Sequence, residues 1–225
     1  MCNCFNQLNS PIFFVCVQDL LFDMRNHMDT HMKLKDPNTH KGYWRLLIMI
    51  KTIAHLADIH IRKLHRFVEY RQVFKNLYKQ LKELKPDAIY IGGDVVHGKL
   101  DTSPEEVRMV ANFFLELCKI APTIIIPGNH DCNLNNKSRE DTLSPIVDLV
   151  QKITPNLHYW KKTGVYTMDN VDFATLSIFD IDKEGKQRTD TLPNPKDLKN
   201  TKIALFHGGV DKHLYDNNLL LQMIE

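Results

Sequence analysis

The stretch from Thr123 to Asp131, with the sequence TIIIPGNHD, constrains the fold of this chain more than any other segment. Its three consecutive isoleucines, Ile124 to Ile126, are typical of a strand buried on both faces of a mostly parallel sheet. Pro127-Gly128 ends that strand, and three polar residues, Asn129-His130-Asp131, follow directly. Because α/β proteins bind ligands at the carboxyl ends of their strands, this turn is a candidate site.

Three further apolar runs end in polar residues in the same way. Thr52 to Ala57 leads to Asp58-Ile59-His60, Ala88 to Ile91 leads to Gly92-Gly93-Asp94 with His97 three residues on, and Lys202 to Phe206 leads to His207. A lone histidine, or an aspartate behind a strand, is usually incidental. Four strands that each end in polar residues are not expected by chance. The pattern predicts that these residues share one site.

The segments between these strands read as helices. An apolar stripe predicts a helix over 66–84, Ser103-Pro104-Glu105-Glu106 is a helix start with a capping serine, and 141–152 is also helical in pattern. The order β-α-β-α-β predicts a parallel sheet with right-handed crossovers. The basic residues on the first helix, Arg71, Lys75, Lys79 and Lys82, could follow a nucleic-acid backbone, but a solvated surface is the preferred interpretation.

The pattern changes after the third helix. Leu157–Trp160, Gly164–Met168 and Val171–Ile178 are short strand-like pieces, with Asp169-Asn170 as a hairpin turn, and 181–199 is polar enough to be a long loop.

Composition indicates one globular core in an intracellular protein. The chain has 225 residues, 43% hydrophobic and 25% charged, with a net charge of +2. Five cysteines fit no disulfide framework, which favours reduced thiols. The apolar stretch 10–22 lacks the basic start and small-residue cleavage site of a signal peptide, so secretion and a membrane partner are not expected.

The folded domain is predicted to span residues 49–225. Residues 1–48 show no sustained period and a loop-like stretch at 35–38, so they read as a poorly specified extension or as upstream translation. An amphipathic helix near Val17 to Met28, packed on the domain, is the competing interpretation.

The residues at the strand ends suit a catalytic metal site. Carboxylate and amide oxygens mixed with imidazoles fit manganese, iron or zinc better than calcium or a structural zinc. Asp58 and His60 are two apart, so on an extended strand end they would point the same way and bind one ion. A single carboxylate such as Asp94 can bridge two ions, which would then act together on a phosphoryl group.

Together these motifs resemble the calcineurin-like metallophosphoesterases over about residues 49–210. The matching elements are Asp58-x-His60, Gly93-Asp94-x-x-His97, Gly128-Asn129-His130-Asp131 and His207-Gly208. His97 and the text from Asn133 to Pro145 further resemble the SbcD-type nuclease subunits of DNA double-strand-break repair.

The resemblance implies an α/β fold with mixed sheets flanked by helices, and two divalent ions, with Mn²⁺ expected. Asp58 and His60 would hold the first ion, Asp94 would bridge, and Asn129 and His207 would hold the second. It also implies that His130 stabilises the phosphate or protonates the leaving oxygen, that Asp131 orients His130, and that His97 contacts the scissile phosphate. The implied partners are DNA, an SbcC-like coiled-coil ATPase and a second copy of the chain.

One departure from the family pattern concerns the end of the chain. The family completes its site with a Gly-His-x-His element, and Lys212-His213-Leu214 does not match it. We therefore expect a truncated chain that is incomplete on its C-terminal side. Each ion would then lack one ligand, and hydrolysis by this chain alone would not be assured. Two alternatives stay open: another calcineurin-like hydrolase acting on nucleotides or phosphoproteins, and a non-catalytic remnant that keeps the fold.

Overall fold

The computed structural model describes residues 16–19, 49–62, 64–98, 101–136, 139–181, 188–192, 194–208, 213–214 and 220–221. Most of the predicted N-terminal extension, including the loop expected at 35–38, lies outside them. Within it, residues 16–19 form a strand that pairs with the first strand of the domain. The helical interpretation of Val17 to Met28 is therefore wrong for residues 17–19, and the boundary at Met49 stays a prediction.

The larger sheet has five strands in the same order as in the chain. Four neighbouring strands are parallel, and the first is antiparallel to the second. The strands are β1 (Cys16–Asp19), β2 (Thr52–Leu56), β3 (Ala88–Ile91), β4 (Thr123–Ile125) and β5 (Leu157–Tyr159). Because β2 to β5 are parallel, their carboxyl ends lie along one edge of the sheet, as the β-α-β-α-β pattern predicts.

Three helices connect these strands: α1 (Phe67–Leu84), α2 (Pro104–Cys118) and α3 (Ser144–Gln151). The start of α2 is confirmed, since the Ser103 hydroxyl accepts the amide of Glu106 at 3.2 Å and Pro104 is the first helical residue. The third helix begins later than predicted. Asp141 precedes the helix, and its carboxylate accepts hydrogen bonds from the amides of Leu143 and Ser144. It therefore caps the start of the helix without being part of it.

The second sheet has three strands, β6 (Gly164–Met168), β7 (Val171–Leu176) and β8 (Thr201–Phe206), in that order. The hairpin between β6 and β7 turns at Asp169, whose φ is 50°. Between β7 and β8, where a long loop is predicted, the described residues include two short 3₁₀ helices, Thr189–Thr191 and Pro195–Asp197. Two short strands, β9 (His213–Leu214) and β10 (Leu220–Leu221), pair with each other.

The alternation of side chains along the large sheet divides the core into two layers. Ile89, Ile91 and Ile125 face the helices, whereas Ile124 and Ile126 pack against the second sheet, where they join Phe173 and other residues. This explains the isoleucine run after Thr123, because β4 is buried on both faces. The result is a helix layer and two sheet layers, which confirms the predicted α/β class with mixed sheets.

Among the described helices, none has the length and apolar character that crossing a membrane requires.

Candidate metal centre

The loops that follow β2 and β3 stay paired beyond the strands. The amides of Asp58, His60 and Ile61 donate to the carbonyls of Gly93, Asp94 and Val95, at 3.2, 2.9 and 2.9 Å. These loops therefore continue the parallel ladder rather than diverging. Their side chains are held by backbone hydrogen bonds on rigid supports, which a preorganised site requires.

The backbone at the site is left-handed at three non-glycine residues. Asp58, His60 and Asp94 have φ values of 54°, 47° and 54°, and they make up three of the five described non-glycine residues with positive φ. Each such residue costs roughly 1–3 kcal/mol and persists only where surrounding contacts impose it. Asp58 and His60 do converge, but they do so through these turns. The expectation of an extended strand end, which would have aligned them by alternation, is wrong.

Two glycines allow the loops after β3 and β4 to touch. Gly93 has a φ of 94°, and a Cβ there would lie 2.6 Å from Nδ1 of His207. A Cβ on Gly128 would overlap both the carboxylate and the amide of Asp94. The buried Asp94 side chain therefore needs the space that a missing Cβ leaves.

We expect Gly128→Ala to lower the free energy of unfolding by about 3 kcal/mol, because the added methyl group must displace Asp94. Metal affinity should fall with it. Gly164→Ala is the matched control, since the atom nearest to its added Cβ lies 4.0 Å away in the flexible ring of Tyr166. Chemical denaturation and metal titration of both variants test this, and equal stabilities for the two would contradict it.

Asp94 occupies the middle of the site. Its side chain is 4% exposed, and Oδ2 lies 3.5 Å from Nε2 of His60 and 3.4 Å from Nε2 of His207. Oδ1 accepts the amide of His130 at 2.8 Å. Burial raises the pKa of Asp94, but the hydrogen bonds from His207 and His130 outweigh it, so the pKa lies below its usual value. The carboxylate is thus ionised and faces two imidazoles from different strands.

On one side of Asp94 lie Asp58 and His60. Oδ1 of Asp58 is 3.8 Å from Nε2 of His60, and ligand atoms of all three residues fall within 4.8 Å of one another. Burial lowers the pKa of His60 more than the two carboxylates raise it. A neutral imidazole offers a lone pair, so this group has the chemistry of a cation site.

On the other side lie Asn129 and His207. Nδ1 of His207 donates to the Gly92 carbonyl at 2.7 Å, which directs Nε2 to Oδ1 of Asn129 at 3.0 Å. Burial lowers the pKa of His207, but hydrogen bonds to Asp94 and Gly92 raise it further, to about 9. A proton on Nε2 thus sits among oxygen acceptors. A cation suits that environment equally well, since His207 and Asn129 would both ligate it.

Three histidines gather beside the first of these groups. The rings of His97 and His130 stack at 5.0 Å, and His60 meets both edge-on. Nδ1 of His130 donates to the carbonyl of His97 at 3.1 Å, so Nε2 of His130 is the nitrogen left to take up or release a proton.

Asp131 has a different place from the one expected. It is fully buried, and its two carboxylate oxygens accept the amides of Val96 and Gly128 at 3.0 and 2.8 Å. Burial raises the pKa of Asp131 to about 7, against the lowering effect of these amides. The partner of the His130 ring is the His97 carbonyl, so the orienting role expected of Asp131 is corrected. Asp131 joins the loop after β3 to the loop after β4.

Two residues at the site were missed by sequence reasoning. The hydroxyl of Tyr70 donates to the His60 carbonyl at 2.7 Å, and Nη1 of Arg62 lies 3.5 Å from Nε2 of His97. Tyr70 belongs to the apolar stripe that predicts α1, and it is buried there. Arg62 gave a signal that was overlooked, namely a basic residue two positions beyond a metal-ligand candidate.

The donor set fits a pair of divalent cations. Oδ2 of Asp94 lies 3.5 Å from Nε2 of His60 in the first group and 3.4 Å from Nε2 of His207 in the second. The oxygen and imidazole donors around it are the mixture that catalytic transition-metal and zinc sites use. All eight residues predicted from the strand ends lie at or directly behind the carboxyl edge of the large sheet. Asp131 lies behind the other residues, where it joins the loops after β3 and β4.

Comparisons with known proteins identify the family of the chain. An uncharacterized protein of Acanthamoeba polyphaga mimivirus is 42% identical over 189 residues. That alignment covers 80% of this chain but 13% of the relative, so the chain spans a small part of the protein it resembles. The model of the calcineurin-like phosphoesterases matches residues 51–224. The chain belongs to the calcineurin-like phosphoesterase family, a family of metal-dependent hydrolases.

Proposed function

We propose that the chain is a two-metal phosphodiesterase of SbcD type that acts on DNA ends. The observation that carries the two-metal part is the position of Asp94, whose Oδ2 lies within 3.5 Å of an imidazole nitrogen on each side. One carboxylate oxygen between two ligand groups is the arrangement that a bridging ligand requires.

The chain's own residues divide the work as follows. Asp58 and His60 would hold one cation, Asn129 and His207 the other, and Asp94 both. Two cations held there would polarise the phosphoryl group and lower the pKa of a bound water. His130 stabilises the phosphate or gives a proton to the leaving oxygen through Nε2, since its Nδ1 is engaged by the His97 carbonyl. His97 contacts the scissile phosphate.

The choice of DNA rests on the resemblance of His97 and of residues 133–145 to SbcD-type nucleases. The open face of the site is compatible with a long substrate, because the Asp58 side chain is 62% exposed. In this proposal the cation is Mn²⁺, the reactions are exonucleolytic and endonucleolytic cleavage, and the partner is an SbcC-like coiled-coil ATPase.

Incubation of the protein with Mn²⁺ and a panel of substrates tests the proposal. We expect cleavage of end-labelled linear duplex DNA and of thymidine 5′-p-nitrophenyl phosphate. Cleavage of a phosphomonoester or a phosphopeptide, with DNA intact, would instead favour another calcineurin-like hydrolase. Binding of one weak ion or none in calorimetry, without cleavage of any substrate, would favour the non-catalytic remnant. The exposed Asp148 on α3 provides a control through Asp148→Asn, which should behave as the wild type.

A further inference from the structure

The two histidines on either side of Asp94 are held in different ways. The ring of His207 is fixed directly, because its Nδ1 donates to the Gly92 carbonyl at 2.7 Å and its Nε2 lies 3.0 Å from Oδ1 of Asn129. Among the described residues, the shortest polar contact of the His60 ring is 3.4 Å, between its Nδ1 and Nδ1 of a neighbouring histidine. The position of His60 therefore depends more on its backbone than on its ring.

The backbone of His60 is hydrogen-bonded on both sides. Its amide donates to the Asp94 carbonyl at 2.9 Å, and its carbonyl accepts the Tyr70 hydroxyl at 2.7 Å. His60 has a φ of 47°, a left-handed conformation that a non-glycine residue keeps only where surrounding contacts impose it. The first contact comes from the loop after β3, whereas the second comes from α1. Tyr70 thus connects this candidate ligand to the helix layer.

The core determines where the Tyr70 hydroxyl lies. Tyr70 is 4% exposed in the first turn of α1, and its ring centroid lies 5.9 Å from that of Phe74. Phe74 in turn stacks on Phe113 of α2 at 4.4 Å. A packed aromatic ring has few alternative rotamers, and its hydroxyl moves only with the ring. The hydrogen bond to His60 is therefore made by a rigid donor, as a preorganised site requires.

The second ligand group does not depend on Tyr70 in the same way. Oδ1 of Asp94 accepts the amide of His130 at 2.8 Å, and the ring of His207 is held by a backbone carbonyl at 2.7 Å. Neither of these hydrogen bonds involves the carbonyl of His60. Loss of the Tyr70 hydroxyl should therefore disturb the group around His60 and leave the group around His207 intact.

We propose that Tyr70 is a positioning residue for the cation held by Asp58 and His60. Its hydroxyl keeps the His60 backbone in the left-handed turn that brings Nε2 of His60 to 3.5 Å from Oδ2 of Asp94. Residues that orient a ligating histidine usually bond its second ring nitrogen, and here a hydrogen bond to the backbone has that role. The proposal rests on the two-metal site of the proposed function and adds a residue that lies outside the family motifs.

Titration of the metal-free protein with Mn²⁺ tests the proposal. Tyr70→Phe removes the hydroxyl and keeps the packed ring. In calorimetry we expect its affinity for one ion to fall roughly tenfold, and its affinity for the other ion to equal that of the wild type. Two Mn²⁺ ions that share a carboxylate are magnetically coupled, whereas a lone Mn²⁺ ion gives a six-line EPR spectrum. With two ions supplied per protein, Tyr70→Phe should show more of the six-line signal than the wild type does.

Two further variants show whether the effect passes through His60. Tyr78→Phe removes a hydroxyl from the same helix and the same aromatic cluster, where it forms no hydrogen bond with the described residues. This control should bind both ions as the wild type does. In the His60→Ala background, adding Tyr70→Phe should cause no further loss of affinity, because the ligand on which the hydroxyl acts is already absent.

The outcomes separate this proposal from the one on which it rests. Equal weakening of both ions in Tyr70→Phe, or an unfolded variant in thermal unfolding without metal, would assign Tyr70 a general structural role. Unchanged affinities would remove it from the site, and a further loss in the His60→Ala background would show that it acts by another route. Each of these results overturns the inference and leaves the two-metal site standing, because the wild type still binds the pair. A wild type that binds one ion or none would overturn both.

Discussion

Asp94→Ala is expected to abolish the binding of both divalent ions and to lower phosphodiester hydrolysis by at least about a thousandfold, since metal ions contribute several kcal/mol to such reactions. The reason is geometric. Oδ2 of Asp94 lies 3.4 Å from Nε2 of His207 and 3.5 Å from Nε2 of His60, so both ligand groups lose the atom that they share. Calorimetric titration with Mn²⁺ gives the number of ions bound.

Two further variants make this result specific. Asp94→Asn keeps an acceptor for the amide of His130 and preserves the shape of the buried side chain, so it separates loss of charge from loss of packing. Asp148→Asn removes an exposed carboxylate on α3 and should bind two ions. If Asp94→Ala folds as the wild type does and still binds two ions, Asp94 is not the bridge.

His130→Gln is expected to spare both ions and to lower turnover by roughly a hundredfold or more, as the loss of a general acid does. The His97 carbonyl lies 3.1 Å from Nδ1 of His130 and orients its ring. The ring lies 4.8 Å from that of His60, so it is next to the metal ligands around Asp94 and is not one of them. Single-turnover kinetics at saturating Mn²⁺ separates this step from metal loading.

A matched change at an exposed histidine provides the control for His130. His65→Gln, in the short 3₁₀ helix before α1, should leave turnover unchanged. Loss of an ion in His130→Gln, in proportion to the loss of turnover, would move His130 into the ligand set. If the turnover of His130→Gln depends steeply on the pKa of the leaving group and that of the wild type does not, His130 is supported as the general acid.

The sequence was sufficient for the parallel sheet and the positions of its ligand-bearing ends. The isoleucine run at 124–126 and the apolar run at 88–91 are buried on both faces, and strands of this kind show a continuous apolar pattern. The run at 52–57 is mostly buried, with His55 exposed. Because parallel strands align their carboxyl ends, Asp58, Asp94 and Asn129 could be placed at one edge without a structure.

The local geometry of the site could not be read from the same pattern. The left-handed turns at Asp58 and Asp94 depend on backbone pairing between two loops distant in sequence, and alternation along one strand carries no information about them. The same limit applies to Asp131. Adjacency to His130 suggested that it orients that ring, but its carboxylate is aimed at the amides of Val96 and Gly128.

The central claim is that two cations share Asp94 at the carboxyl edge of the large sheet. Crystals soaked in Mn²⁺ and measured at the manganese absorption edge test it directly. We expect two anomalous peaks roughly 3.5–4 Å apart, with Asp94 touching both, His60 touching one and His207 the other. A single peak, or two peaks of which Asp94 touches only one, would contradict it.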